Sequence, residues 1–259
     1  MRKHSKISSR VAVGMLLTAA SLLAQRGQPE RMPQQAPNLS RLSTMMRMIE
    51  TGVTPSDLAA MRAKNNMAIS YLLAAWRDIF AGSMAPPAFR PFTAEMGTSG
   101  CGPVHLNNAE YCSSDHTIYY DEIFLATVMK EAAGNLGTDG DYAPITVLAH
   151  EFGHAVAIEK GYHERISLFA ENAADCVAGV ITAWAQRDGH IDRGDLEEAQ
   201  YALSHATDPP GQTLVAQLLD PSAHGNRYQR LGAFTSGLSS GNMRVCVPSS
   251  APGNYRGTR

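Results

Sequence analysis

The chain has 259 residues, 44% of them hydrophobic and 18% charged, with a formal net charge of −2. That length suits one well-buried domain and excludes two large ones once the tail regions are set aside. A charge so near balance gives no global attraction to nucleic acid or to an anionic membrane, so no nucleic-acid partner is expected, and no internal repeat points to a solenoid or propeller.

Arg2, Lys3, Lys6 and Arg10 precede an apolar run over residues 11–24, interrupted only by Gly14, Thr18 and Ser21. A basic stretch followed by a short apolar one is the pattern of a secretory signal, and the run falls short of the roughly 20 residues that span a bilayer. Residues 1–24 are therefore expected to direct export to the cell envelope or the medium. Cleavage would fall near residues 20–25; as no clean A-x-A site is present, the alternative is an uncleaved N-terminal membrane anchor. Residues 25–55 read as a flexible linker, rich in Gln, Pro and Arg as far as about residue 38. The folded domain is expected over residues 56–250, with a disordered tail at 251–259.

Within that domain, Leu58, Met61, Met67, Leu72, Leu73, Trp76 and Phe80 give residues 56–81 a helical period that stops before Gly82 and Pro86-Pro87. The methionines read as packing, because thioethers do not suit zinc. Residues 85–121 look loop- and strand-like, with 116–121 the best strand candidate. Helical patterns return over 122–133, 194–206 and about 225–239, which makes the domain α+β and mostly helical.

His150-Glu151-Phe152-Gly153-His154 is an H-E-x-x-H sequence, two histidines spaced for one metal ion with a glutamate beside it. The spacing works on a helix, where residues i and i+4 share a face. Pro144 suits a first turn, Ile145, Leu148, Phe152 and Val156 repeat at helical spacing, and Gly161 is a natural stop. A catalytic zinc usually keeps three protein ligands and one open position. A second helical pattern begins at about Leu168 and ends near Arg187, and sixteen residues separate His154 from Glu171, enough for a turn and a return past the metal. Glu171 is the expected third ligand. Asp175, four residues on and on the same face, is placed to accept a hydrogen bond from a ligating histidine and fix its tautomer. Two acids alone would more often mark a solvated face; their apolar surroundings favour a metal, since an unpartnered buried carboxylate costs several kcal/mol.

These blocks, with Glu171-Asn172-Ala173-Ala174-Asp175-Cys176-Val177-Ala178-Gly179 and a late Ala223-His224-Gly225 before Arg230, resemble the bacterial putative neutral zinc metallopeptidase family. Upstream, Cys101-Gly102-Pro103, Tyr111-Cys112 and Ile118-Tyr119-Tyr120-Asp121 resemble the family's cysteine and strand segments, so the likeness spans about residues 95–246. It departs at Ala155-Val156-Ala157, where members often carry a further histidine and a glutamine. The resemblance implies a zincin-like fold, a small sheet or hairpin beside the H-E-x-x-H helix, and peptidase chemistry on a peptide or protein substrate. In such folds an edge strand near the metal helix pairs with extended substrate.

Four cysteines in an exported chain are most simply two disulfides, with three connectivities open. Cys101 with Cys112 and Cys176 with Cys246 are the favoured pairs, the second tying the C-terminal segment to the Glu171 helix. The chemistry expected is hydrolysis with one zinc per chain held by His150, His154 and Glu171, and Glu151 as general base. His224 is the candidate donor to the developing oxyanion, with Tyr228 and Arg230 behind it; the competing reading is a surface loop histidine. A non-catalytic envelope protein that binds a partner, or an amidase acting on a cell-wall cross-link, stays open as an alternative.

Overall fold

Residues 39–248 are described by a computed structural model. The expected signal or anchor at 1–24, the linker as far as residue 38 and the tail at 251–259 lie outside the described residues. No helix among the described residues is long and apolar enough to cross a membrane.

The second half of the expected linker needs correction, because Leu39–Thr51 forms helix α1. It holds to the domain through polar groups: Arg47 pairs with Asp121, and its Nη1 donates to Thr93 O at 2.8 Å. Helix α2, Pro55–Ile79, follows after a turn, started by Thr54 and Asp57 capping each other's backbone N–H groups, with Pro55 in the first turn. Trp76, Leu72 and Met61 line its buried face.

The main sheet has three strands in the order β1-β5-β4, where β1 is Ala88–Phe92, β4 is Ala109–Cys112 and β5 is Thr117–Asp121. Strand β1 runs parallel to β5 and β4 antiparallel to it. A separate hairpin joins β2, Thr98–Ser99, to β3, Gly102–Pro103. All five residues of β5 are buried, as a strand flanked on both sides should be. The strand read best from sequence is therefore central, and β4 is the edge strand that packs against the metal-motif helix.

Six α-helices follow β5 and build the rest of the core. Asp121 caps α3, Glu122–Leu136, by accepting Ile123 N–H at 3.0 Å, and Gly137 closes it in a left-handed conformation. Helix α4, Tyr142–Glu159, carries H-E-x-x-H; α5, Ser167–Arg187, carries Glu171 and Asp175. Helices α6, Asp195–His205, α7, Leu214–Leu219, and α8, Arg227–Ser240, complete a mostly helical α+β domain of eight α-helices among the described residues. The start of α4 is held by a residue distant in sequence: Glu198 of α6, fully buried, accepts Gly140 N–H at 3.0 Å and Tyr142 N–H at 2.7 Å. That carboxylate satisfies donors the first turn leaves unpaired.

Both favoured disulfides are present, Cys101–Cys112 and Cys176–Cys246. The first fastens edge strand β4 to the β3 hairpin, and the second ties the segment after α8 to α5.

Candidate metal centre

Two close helix approaches assemble the site. A Cβ on Gly153 would stand 2.6 Å from Ala174 O, so the glycine inside the H-E-x-x-H motif lets α5 lie directly against α4. A Cβ on Gly179 would meet Phe234 O at 2.0 Å, which sets α8 equally close on the other side of α5. Helix α5 is thus pressed between the motif helix and α8, and its Glu171 and Asp175 face both.

The three sequence-predicted ligand residues converge. His150 Nε2 lies 3.2 Å from His154 Nε2 and 3.1 Å from Glu171 Oε2, and His154 Nε2 lies 3.3 Å from Glu171 Oε1. Glu171 Oε2 is buried with no hydrogen-bond partner. Two imidazole nitrogens and an orphaned carboxylate oxygen around one point are a donor set that fits zinc, and a cation there relieves the orphan.

Asp175 takes the place expected for it. Its Oδ1 lies 2.7 Å from His150 Nδ1, so a proton on Nδ1 donated to Asp175 leaves Nε2 free to bind a metal. Asp175 is fully buried, and Arg230 is its second partner, through Nε to Oδ2 and Nη2 to Oδ1, both at 2.8 Å. This corrects the sequence reading of Arg230 as support for His224: it lies behind Asp175. Tyr228, the other proposed support, is 84% exposed and turned out of the cleft.

Charge follows from these contacts. Burial opposes protonation of His150, yet Asp175 and Glu171 outweigh it and raise its pKa, so a cation entering the site displaces a proton. Burial opposes ionisation of Asp175, but His150 and Arg230 prevail and hold it below the usual carboxylate range. Glu151 differs: burial pushes its carboxyl upward against the pull of His150 and His154. Its Oε2 accepts Tyr111 N–H from β4 at 2.8 Å, a contact that sequence could not reveal because it uses backbone.

Residues 74–248 match the family described as putative neutral zinc metallopeptidase. The chain belongs to that family. The family match takes in every residue of the centre and begins after α1. Among curated relatives, the uncharacterized protein YpfJ of Escherichia coli is 33% identical over 169 residues, 58% of this chain and 58% of its own length. The uncharacterized protein Rv2575 of Mycobacterium tuberculosis is 29% identical over 201 residues, 69% of this chain and 67% of its own. The chain thus spans 58% of the length of the Escherichia coli relative. No solved structure gives a significant match.

The metallopeptidase motif residues floor a cleft of about 380 Å³. Asn108 to Tyr111 of the β4 segment form one rim, and Phe124, Val147, Ala202 and Leu203 form an apolar wall. His224 also lines the cleft. Its loop is clamped by Asp208, a residue that the sequence reading did not single out. Asp208 accepts His224 N–H at 2.8 Å and Gly225 N–H at 2.9 Å, and Gln217, itself buried, donates to it at 3.0 Å.

Asp175→Ala is expected to weaken zinc affinity or activity by roughly 10- to 100-fold while all three ligands remain, the usual cost of losing a partner that orients a ligating histidine. Zinc competition against a chromophoric chelator measures it. Native affinity together with a native rate would make Asp175 a packing residue only.

Proposed function

We propose that this chain is an exported zinc peptidase. The observation that carries the reading is Glu151: a buried carboxylate beside the three-residue donor set, outside that set, and at the floor of an open cleft. A structural zinc site needs no such group and tends to close its fourth position. His150, His154 and Glu171 would hold the ion. Zinc, when bound, supplies Lewis acidity, making a water acidic and polarising a carbonyl.

The protein's own groups do the rest. Burial keeps the Glu151 carboxyl a better proton acceptor than an exposed glutamate, so it takes a proton from the attacking water and delivers it to the leaving amine. Asp175, held by Arg230, keeps His150 in the tautomer the site requires. Strand β4 is an edge of its sheet. Asn108 O turns towards β5, accepting Asp121 N–H, whereas Tyr111 N–H turns away towards Glu151. Alternation along a strand sends the backbone groups of Ala109 the same way as those of Tyr111, towards an extended substrate in the cleft. His224 is positioned by Asp208 to donate to negative charge developing on the scissile carbonyl oxygen. The apolar wall favours substrates with an apolar side chain beside the scissile bond.

A quenched-fluorescence peptide library, incubated with disulfide-bonded protein with and without a zinc chelator, tests the proposal. Cleavage is expected, lost with chelator and restored by zinc. His224→Ala should keep its zinc and lower kcat by roughly 10²- to 10³-fold with little change in KM, the pattern of a donor that acts on the transition state. A zinc-loaded chain that cleaves no peptide would contradict the peptidase reading. A His224→Ala variant with native kcat would return His224 to a surface role.

A further inference from the structure

Helix α1 is docked with its apolar face outward. An amphipathic helix of a globular domain normally turns its apolar stripe to the core and its polar residues to water. Here Arg47 is buried against Asp121 and also donates to Asn107 Oδ1 at 3.0 Å, while Thr44 Oγ1 lies 3.0 Å from Thr93 Oγ1. The opposite side carries Leu39, Leu42, Met45, Met46 and Ile49, exposed by 77%, 45%, 52%, 53% and 78%. At roughly 100° per residue these five fall within an arc of about 120°. No described residue covers them.

We propose that this face of α1 lies on a lipid bilayer. The chain before α1 supplies the reason to choose lipid. The apolar run over 11–24 follows Arg2, Lys3, Lys6 and Arg10, and only residues 25–38 separate it from Leu39. Fourteen residues reach at most about 48 Å, so a bilayer engaged by the first segment is within range of the helix. Charge agrees: Arg26, Arg31 and Arg41 precede or flank the apolar arc against Glu30 and Glu50, a cationic excess suited to anionic headgroups. The family match begins at residue 74, so α1 lies outside the matched segment, and its polar attachment stays intact when the outer face is immersed. Immersion would hold the domain at the membrane surface whether or not residues 11–24 are retained.

The test uses the full chain carrying Met46→Cys, labelled with an environment-sensitive fluorophore, and vesicles of equal parts phosphatidylcholine and phosphatidylglycerol. Glu197→Cys, at an exposed position of α6, is the control. On vesicle addition the label at position 46 should shift to the blue and be quenched severalfold more than the control by nitroxide-bearing lipids. Adding Leu42→Glu and Ile49→Glu should weaken that insertion at least about tenfold, since two large apolar side chains no longer leave water. The zinc content of this variant confirms that its domain is folded. An aqueous label at position 46 on protein shown by flotation to be vesicle-bound overturns the proposal. So does a label already shielded without lipid: shielding that fades on dilution assigns the face to a second copy, and shielding independent of dilution assigns it to residues 11–24.

Discussion

Replacing Glu151 by Gln is expected to leave the metal in place and lower kcat by roughly 10²- to 10⁴-fold, the range a positioned general base contributes. The substitution is conservative in shape. A glutamine Oε1 can still accept Tyr111 N–H, so the β4 rim keeps its place over α4. Glu151 also lies outside the donor set of His150, His154 and Glu171, so zinc binding loses no ligand. What disappears is the group that accepts the water's proton. Zinc analysis and kcat on any peptide the native chain cleaves decide the matter. A variant within a few-fold of native turnover would remove the general-base role.

Arg230→Met should lower the free energy of unfolding by about 3–5 kcal/mol, because it leaves a buried carboxylate without its cationic partner. Asp175 is fully buried, and the side chain left to pair with it after the change would be His150. Ala206 O would lose its donor as well. A loss of this size is a large part of the stability of an ordinary domain. Combining Arg230→Met with Asp175→Leu should cost less than Arg230→Met alone, since a neutral pair removes the stranded charge. Urea titration of the three variants measures the comparison. A shift below about 1 kcal/mol for Arg230→Met would mean that Asp175 is held by His150 and needs no second partner.

The ligand set was legible in the sequence for a simple physical reason: it is built from helical spacing. His150 and His154 share a face four residues apart, and so do Glu171 and Asp175, which meet His150 at its two different nitrogens. The disulfide pairs were legible from short separation and from the need to fix the C-terminal segment. Contacts made across the fold were not. Arg230 reaches Asp175 over 55 residues of sequence, and Glu198 caps α4 from 56 residues beyond Tyr142. The identity of the edge strand depends on β1 joining β5 in parallel, which no local pattern records. Helix α1 lies in the segment read as linker, although Leu39, Leu42, Met45, Met46 and Ile49 recur at helical spacing; that apolar stripe does not enter the core. Asp208 acts through backbone N–H groups, which carry no sequence signature.

Zinc content tests the central claim most directly. Native protein and Glu171→Ala, each equilibrated with zinc at neutral pH and freed of excess by gel filtration, are compared by elemental analysis. The native chain should hold one zinc. The variant should hold none while keeping both disulfides and its helical circular dichroism. A native chain without zinc, or a Glu171→Ala variant that retains it in full, would contradict the site as built here.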